Sequence, residues 1–319
     1  MGEKAKKDLV LIPPSEESIY TIMAECWLQI NPYPSILEAP AFDREGNLFI
    51  TSVVEGRVIK ITPDKKMSTI FSNPAYMAAG CAIHKDGRLY LVCPSGQVMA
   101  MNPDGSNMRE IKVRYEGKPI APDDIVFDYD GNFYVTDLGD FKNAFSLTGG
   151  VYRFSADLKT VHPIVTNLVT ANGISLVPKG VSMPSIIPFG YELWVAESAL
   201  NRLIHIKIQQ DGISLAHPPA TVAYNFMGDG MPDSNAVDSE GNVYQTLAGH
   251  GRILVLNKAA IPVAQVLIPG RDEGKNLLTT NLAFKPETDE GYITVGGLDG
   301  GWIYRFHGLA KGLKLFSHT

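Results

Sequence analysis

The sequence predicts an all-β fold, a six-bladed β-propeller with a central axial metal site. Two recurring phrases and one recurring register carry that prediction. The first phrase reads Asp43-Arg-Glu-Gly-Asn-Leu-Phe-Ile50, and returns from His84, from Asp128 and from Asp238. Degenerate copies start at Phe189 and Asp289. Each copy is a glycine-containing turn followed by a short strand of β-branched and aromatic residues. The second phrase, a further turn and strand, follows every copy of the first, beginning at Gly56, Gly96, Gly150, Asn201, Gly251 and Gly301. Six such units with several strands each exclude a two-sheet sandwich, which would not repeat sixfold. An open solenoid would want polar caps. The only segment with helical character is 15–26. Residues 1–30 are expected to pack on or close the propeller formed by 31–319.

Upstream of each turn lies another strand, and there the register carries chemistry. Aligned on a small residue followed by an apolar one, the segments open with Glu38, Ala79, Asp123, Asn172, Asp233 and Thr280, spaced 41 to 61 residues apart. The innermost strand of each blade lines the axis, so these positions predict a ring. Three carboxylates and an amide on one axis would repel if bare, and a divalent cation relieves that. An all-oxygen donor set favours a hard ion: Ca²⁺ first, with Mg²⁺, Mn²⁺ or Zn²⁺ as substitutes. A single aspartate at such a place is ordinarily a turn residue, as Asp43, Asp128 and Asp238 are expected to be. Four metal-competent side chains in one phase are not explained that way. Asp124, one residue past the ring, is expected to satisfy neighbouring backbone.

Composition narrows the partners. The 319 residues carry a net charge of −6 with no basic stripe, which argues against nucleic acid. No apolar run is long enough to span a membrane. The start Met1-Gly2-Glu3-Lys4 lacks an apolar segment behind it, and Lys6 stands where myristoylation needs Ser or Thr. Cys26, Cys81 and Cys93, an odd number without a CxxC pair, fit a reducing cytoplasm. Oligomeric state is left open, and a monomer suffices. No HExxH, G-x-S-x-G, P-loop or dinucleotide fingerprint completes itself, and Asp128-Tyr-Asp-Gly-Asn132 lacks the EF-hand glutamate, with Gly139 in its place.

With Glu38, Asn172-Gly173 and Asp233 each opening a blade, the chain resembles the senescence-marker-protein/gluconolactonase (regucalcin-like) family over nearly everything beyond about residue 20. The segments Ile83-His-Lys-Asp-Gly-Arg-Leu89, Leu267-Ile-Pro-Gly-Arg-Asp-Glu-Gly274, Pro232-Asp-Ser234 and Gly308-Leu-Ala-Lys-Gly312 resemble its bacterial drug-responsive lactonase branch. The resemblance implies hydrolysis of lactones through one axial divalent ion. Glu38, Asp123, Asn172 and Asp233 would be ligands, with Ser234 adjacent, and Asp233 the general acid/base. Two departures follow from the same comparison. The branch's second, structural ion sits on a longer loop than Val92-Cys-Pro-Ser-Gly96, and a histidine near the metal in related propellers is Asn281 here. Long connections at 178–190 and 223–232 are expected to wall the mouth with Met183, Ile186, Phe226 and Met231, joined by Tyr76 and Met77. Alternatives are a phosphotriesterase-like hydrolase and a non-enzymatic calcium-binding propeller.

Overall fold

In the computed structural model the described residues are 11–143, 145–183, 185 and 189–319. Met1–Lys4, Lys6 and Ile186 of the sequence reading lie outside them. Six sheets radiate from a common axis. Their innermost strands are Leu37–Phe42, Gly80–Ile83, Pro122–Phe127, Ala171–Pro178, Met231–Val237 and Leu278–Phe284, opening blades 1 to 6. Each inner strand packs against the inner strands of the blades on either side, and the sixth returns to the first.

The repeated turn explains itself locally. Gly46, Gly131 and Gly241 have φ near +80°, where a residue without Cβ pays no steric cost. Asp43, Asp128 and Asp238 are buried and close these turns. Each accepts the main-chain N–H four residues on, at 2.8 to 2.9 Å. These three acids therefore sit at the end of the molecule opposite the ring.

The hydrophobic core is not axial. Six apolar clusters fill the wedges between neighbouring blades, such as Tyr90, Val98, Phe127 and Phe133 between blades 2 and 3. Because apolar burial happens between blades, the axis is left to polar side chains.

The N-terminal segment does not form the helix expected at 15–26. After a short 3-10 turn, Pro14–Glu16, it runs as two strands. Tyr20–Met23 adds in parallel to the outer edge of blade 5, and Glu25–Asn31 supplies the outer strand of blade 6 beside Gly301–His307. Open sheet edges offered ladder partners that the weak helical pattern could not match. Arg252 and Glu16, both almost fully buried, form an ion pair at 2.7 Å that pins this segment. No helix among the described residues is long and apolar enough to cross a membrane.

Residues 308–319 form a strap across the end of the channel opposite the ring. Leu313 donates its N–H to Val237, Tyr129 donates to the Lys314 carbonyl, and Arg44 donates to that of Thr319. Phe316 lies edge-on to His84 at 5.1 Å and tilted on Phe127 at 5.8 Å. Between strap and ring remains a cavity of about 120 Å³ bordered by Cys81, Asp124, Asn235 and Asn281. Phe316→Ala should destabilise the protein by about 3 kcal/mol. The check is a lower urea midpoint at unchanged m-value; a midpoint equal to wild type would show that the strap carries no packing energy.

Candidate metal and active site

The side chains of the ring are aimed by a defect repeated around the axis. Five of the six innermost strands break register with their partner strand near the mouth: at Glu38/Ala41, Pro122/Ile125, Ala171/Ile174, Pro232/Asn235 and Thr279/Asn281. In blades 3, 4 and 5 two residues oppose one. Asp123–Asp124, Asn172–Gly173 and Asp233–Ser234 are the extra pairs, and the first of each is a ring residue. Such bulges re-aim side chains that a regular pleat would send to alternate faces. In blade 1 the bulge follows Glu38, and Ala39 takes φ +56°, a conformation uncommon outside glycine and asparagine.

In blades 3, 5 and 6 the bulge leaves backbone groups without ladder partners, and buried hydroxyls on the next strand take them up. Thr136 accepts the Asp124 N–H at 3.0 Å, Thr246 donates to the Ser234 carbonyl at 2.8 Å, and Thr294 accepts the Asn281 N–H at 3.1 Å. Thr51 donates across to Ala78 of blade 2. Gln245, fully buried, donates to the carbonyls of both Asp233 and Ser234. These supports escaped the sequence reading, yet a signal existed. An aromatic-x-Thr triplet ends the turn phrase at Phe49–Thr51, Tyr134–Thr136, Tyr244–Thr246 and Tyr292–Thr294.

Glycines let neighbouring bulges nest. A Cβ on Gly173 would lie 2.3 Å from the Ser234 Cα, and one on Gly80 would lie 2.6 Å from the Asp123 carbonyl oxygen. Only a bare backbone fits in either place.

Four predicted site residues come together: Glu38, Asp123, Asn172 and Asp233. Asn172 hydrogen-bonds Asp233. Its own Oδ1 is buried without a hydrogen-bond partner. Glu38 is held by Asn281, whose Nδ2 donates to Oε2 at 3.0 Å, and by the Ala39 N–H at 3.1 Å. Burial pushes the Glu38 carboxyl well above its ordinary range, and repulsion from Asp233 and Asp123 adds to this. Asp123 is raised well above its range by burial, then by Asp233 and Asp124. Burial lifts Asp233 to about 7 against the opposing bond from Asn172.

Ser234, also a predicted site residue, is placed differently. Its hydroxyl serves the Asp124 carboxylate. Asp124 also accepts from the Ile125 N–H at 2.9 Å and, across the blade boundary, from the Ile174 N–H at 3.2 Å. It thus links blades 3, 4 and 5 just behind the ring, and burial lifts it to about 7. Thr280 shares the ring phase but not its chemistry. It is buried, and its hydroxyl bonds to the Leu37 carbonyl and to Thr294. Among the described residues no three His, Cys, Asp or Glu side chains form a ready-made cage, so a cation here would need the Asn172 amide as well. The donor set does fit one, since a buried amide oxygen without a partner stands beside acids whose ionised form burial disfavours and a cation would favour.

The expected rim is partly corrected. Met231, Met77 and Met183 are exposed, but Phe226 is buried among Trp194, Leu203 and Leu247, because the blade 4–5 wedge offers it an apolar socket. Tyr76 is half-buried, its hydroxyl tied to Glu110.

The raised acids give a pH dependence with a definite sign. An acid whose folded value exceeds the unfolded value of about 4 costs the fold nothing below pH 4, and the cost grows with pH until the folded value is passed, about 7 for Asp233 and Asp124. Chelator-treated protein should therefore lose melting temperature between about pH 5 and pH 8. Asp233→Asn should flatten that slope, and an unchanged slope would show that Asp233 is not one of the groups responsible.

Residues 37–296 match the family described as SMP-30/Gluconolactonase/LRE-like region. Lactonase drp35 of Staphylococcus saprophyticus is 37% identical over 311 residues, covering 94% of this chain and 92% of that protein. Among solved structures, a calcium-binding protein, regucalcin, from Agrobacterium tumefaciens superimposes with TM-score 0.70 at 15% identity, covering 92% of this chain and 98% of that one. A gluconolactonase from Xanthomonas campestris also gives TM-score 0.70, at 18% identity and covering 89% and 94%.

Proposed function

The chain belongs to the SMP-30/gluconolactonase/LRE-like family, and on that premise we propose that it opens lactones by hydrolysis, using one divalent cation at the axial mouth. The observation that carries the metal is the buried, unpartnered Oδ1 of Asn172 beside three acids with raised pKa. Glu38, Asp123, Asn172 and Asp233 would hold the ion, with Ser234 steadying the set through Asp124. Oxygen donors of this kind suit Ca²⁺, and the relative described as a calcium-binding protein supports the same ion. When bound, the ion supplies Lewis-acid polarisation of the ester carbonyl and neutralises oxyanion charge.

The chain's own residues do the rest. Asp233 accepts a proton from the attacking water as a C–O bond forms at the carbonyl carbon. The ring C–O bond then breaks, and Asp233 returns that proton to the departing alkoxide, leaving a hydroxy acid. The amide of Asn172 orients Asp233, and that of Asn281 orients Glu38. Cys26, Cys81 and Cys93 are free thiols, which supports the cytoplasm as the compartment.

Asp233→Asn should keep most of its metal affinity and lose about two decades or more in kcat; turnover close to wild type would remove Asp233 from the mechanism. Glu38→Gln should bind Ca²⁺ more weakly by calorimetry, and excess Ca²⁺ should restore activity. A panel of lactones assayed with EDTA and then with Ca²⁺, Mg²⁺, Mn²⁺ or Zn²⁺ added back tests the whole reading. Ion binding that stabilises the protein without any turnover would favour the calcium-binding alternative.

A further inference from the structure

Blade 2 breaks the pattern of the ring. Its inner strand Gly80–Ile83 is the one of the six without a register shift. Just before it, the Ala79 N–H bonds to the Val92 carbonyl at 2.9 Å, one residue off the Gly80–Val92 pairing, so Ala79 stands at the ring position as its counterparts do but without a polar side chain. Val92 also stands where blades 1, 3, 5 and 6 carry a threonine and blade 4 carries Ala196. Ala79 is partly exposed, whereas Ala78 and Gly80 on either side are buried. It occupies the ring position between Glu38 of blade 1 and Asp123 of blade 3.

The gap does not come from a retreating strand. Gly80 presses directly on the Asp123 backbone, so blade 2 stands as close to the axis as its neighbour permits. What is missing at ring level is a side chain. Beside the gap stands an apolar side chain, and the charged hairpin Arg114–Pro119 lies further out against Gly96. Met77, 47% exposed, stands two residues upstream. The turn above blade 2, between Leu89–Cys93 and Gln97–Met101, spans only Pro94, Ser95 and Gly96, whereas the corresponding connection in blade 3 runs from 138 to 148.

We infer that Ala79 is a specificity-determining residue: the notch over blade 2, floored by Ala79 and flanked by Met77, receives an apolar alkyl substituent of the lactone while its ester lies at the ring acids. The assignment rests on the lactonase reading. Substrate approaching from any other blade would meet a polar ring side chain or, at blade 6, the packed Thr280. A methyl-sized floor leaves room for a chain, and a larger floor excludes it.

The test compares γ-butyrolactone, which has no substituent, with γ-nonalactone, the same ring bearing a pentyl chain. Ala79→Phe should lower kcat/KM for γ-nonalactone by about tenfold or more, the scale on which a few methylenes discriminate. It should leave γ-butyrolactone within about twofold, with Ca²⁺ affinity unchanged by calorimetry. An equal loss on both lactones, or no loss on either, overturns the assignment while the lactonase reading stands. A wild-type protein inactive on both overturns the lactonase reading and the assignment with it. Ala79→Val, measured in the same way with an intermediate effect expected, decides the matter if the phenylalanine variant does not fold.

Discussion

The site depends on a register break made five times over near the mouth of the inner strands. A regular strand alternates its side chains between two faces, so one residue in two would point into an interblade wedge. The bulge suspends that alternation where Asp123, Asn172 and Asp233 stand and brings them to a common centre. An unpaired backbone group in such a buried place costs about 1–3 kcal/mol. In blades 3, 5 and 6 Thr136, Thr246, Thr294 and Gln245 answer the orphaned donors and acceptors and offset that cost. Those hydroxyls and that amide touch no ring carboxylate. They maintain the backbone from which the carboxylates project.

The distribution of apolar packing makes this arrangement possible. Because the six apolar clusters lie between blades, the axis does not have to be filled with hydrocarbon. The same geometry creates an electrostatic debt there. Burial raises the proton affinity of Glu38, Asp123 and Asp233, and the charge of Asp233 raises the first two further. Protons or a cation can discharge that debt, and Asn172 presents a buried oxygen without a hydrogen-bond partner beside these acids. Asp124 is an acid of a different kind. It accepts from the backbone of two blades and from Ser234 of a third, so its work is to hold the inner strands in relative position.

The two ends of the axis are specialised in opposite directions. At one end the ring faces the mouth, with Glu38 buried and the Asp123 and Asp233 residues partly exposed. At the other, the strap lays Leu313 and Phe316 across the channel and ties together blades 1, 3 and 5 through the His318 ring at the Phe42 carbonyl, the Tyr129 hydroxyl and the Leu313 N–H. Closure at the rim is separate again: Glu25–Asn31 completes blade 6 beside Gly301–His307, so an early and a late strand share one sheet. A ring of blades held at rim and base tolerates irregular strands at the mouth, which is where the chemistry is proposed.

Much of this was legible along the chain. The period of the turn phrase gave the blade count, because a glycine at positive φ followed by a β-branched strand is a local matter that needs no distant partner. The shared phase of Glu38, Asp123, Asn172 and Asp233 pointed to a common centre for the same reason: one strand position repeated around an axis must converge. What could not be read were interactions whose partners lie in other blades. Ser234 turning to Asp124, Asn281 reaching Glu38, Phe226 sinking into the blade 4–5 wedge and Thr280 bonding to Leu37 each depend on how far apart neighbouring strands pack. The strands at 20–31 likewise needed an open sheet edge to exist before they could add to it. The sequence by itself determined the repeat and the residues that share its phase, since both are set by neighbours a few bonds away. Only the tertiary structure decided which of those side chains face one another, because that is set by backbone approaches of a few ångströms between segments far apart in the chain.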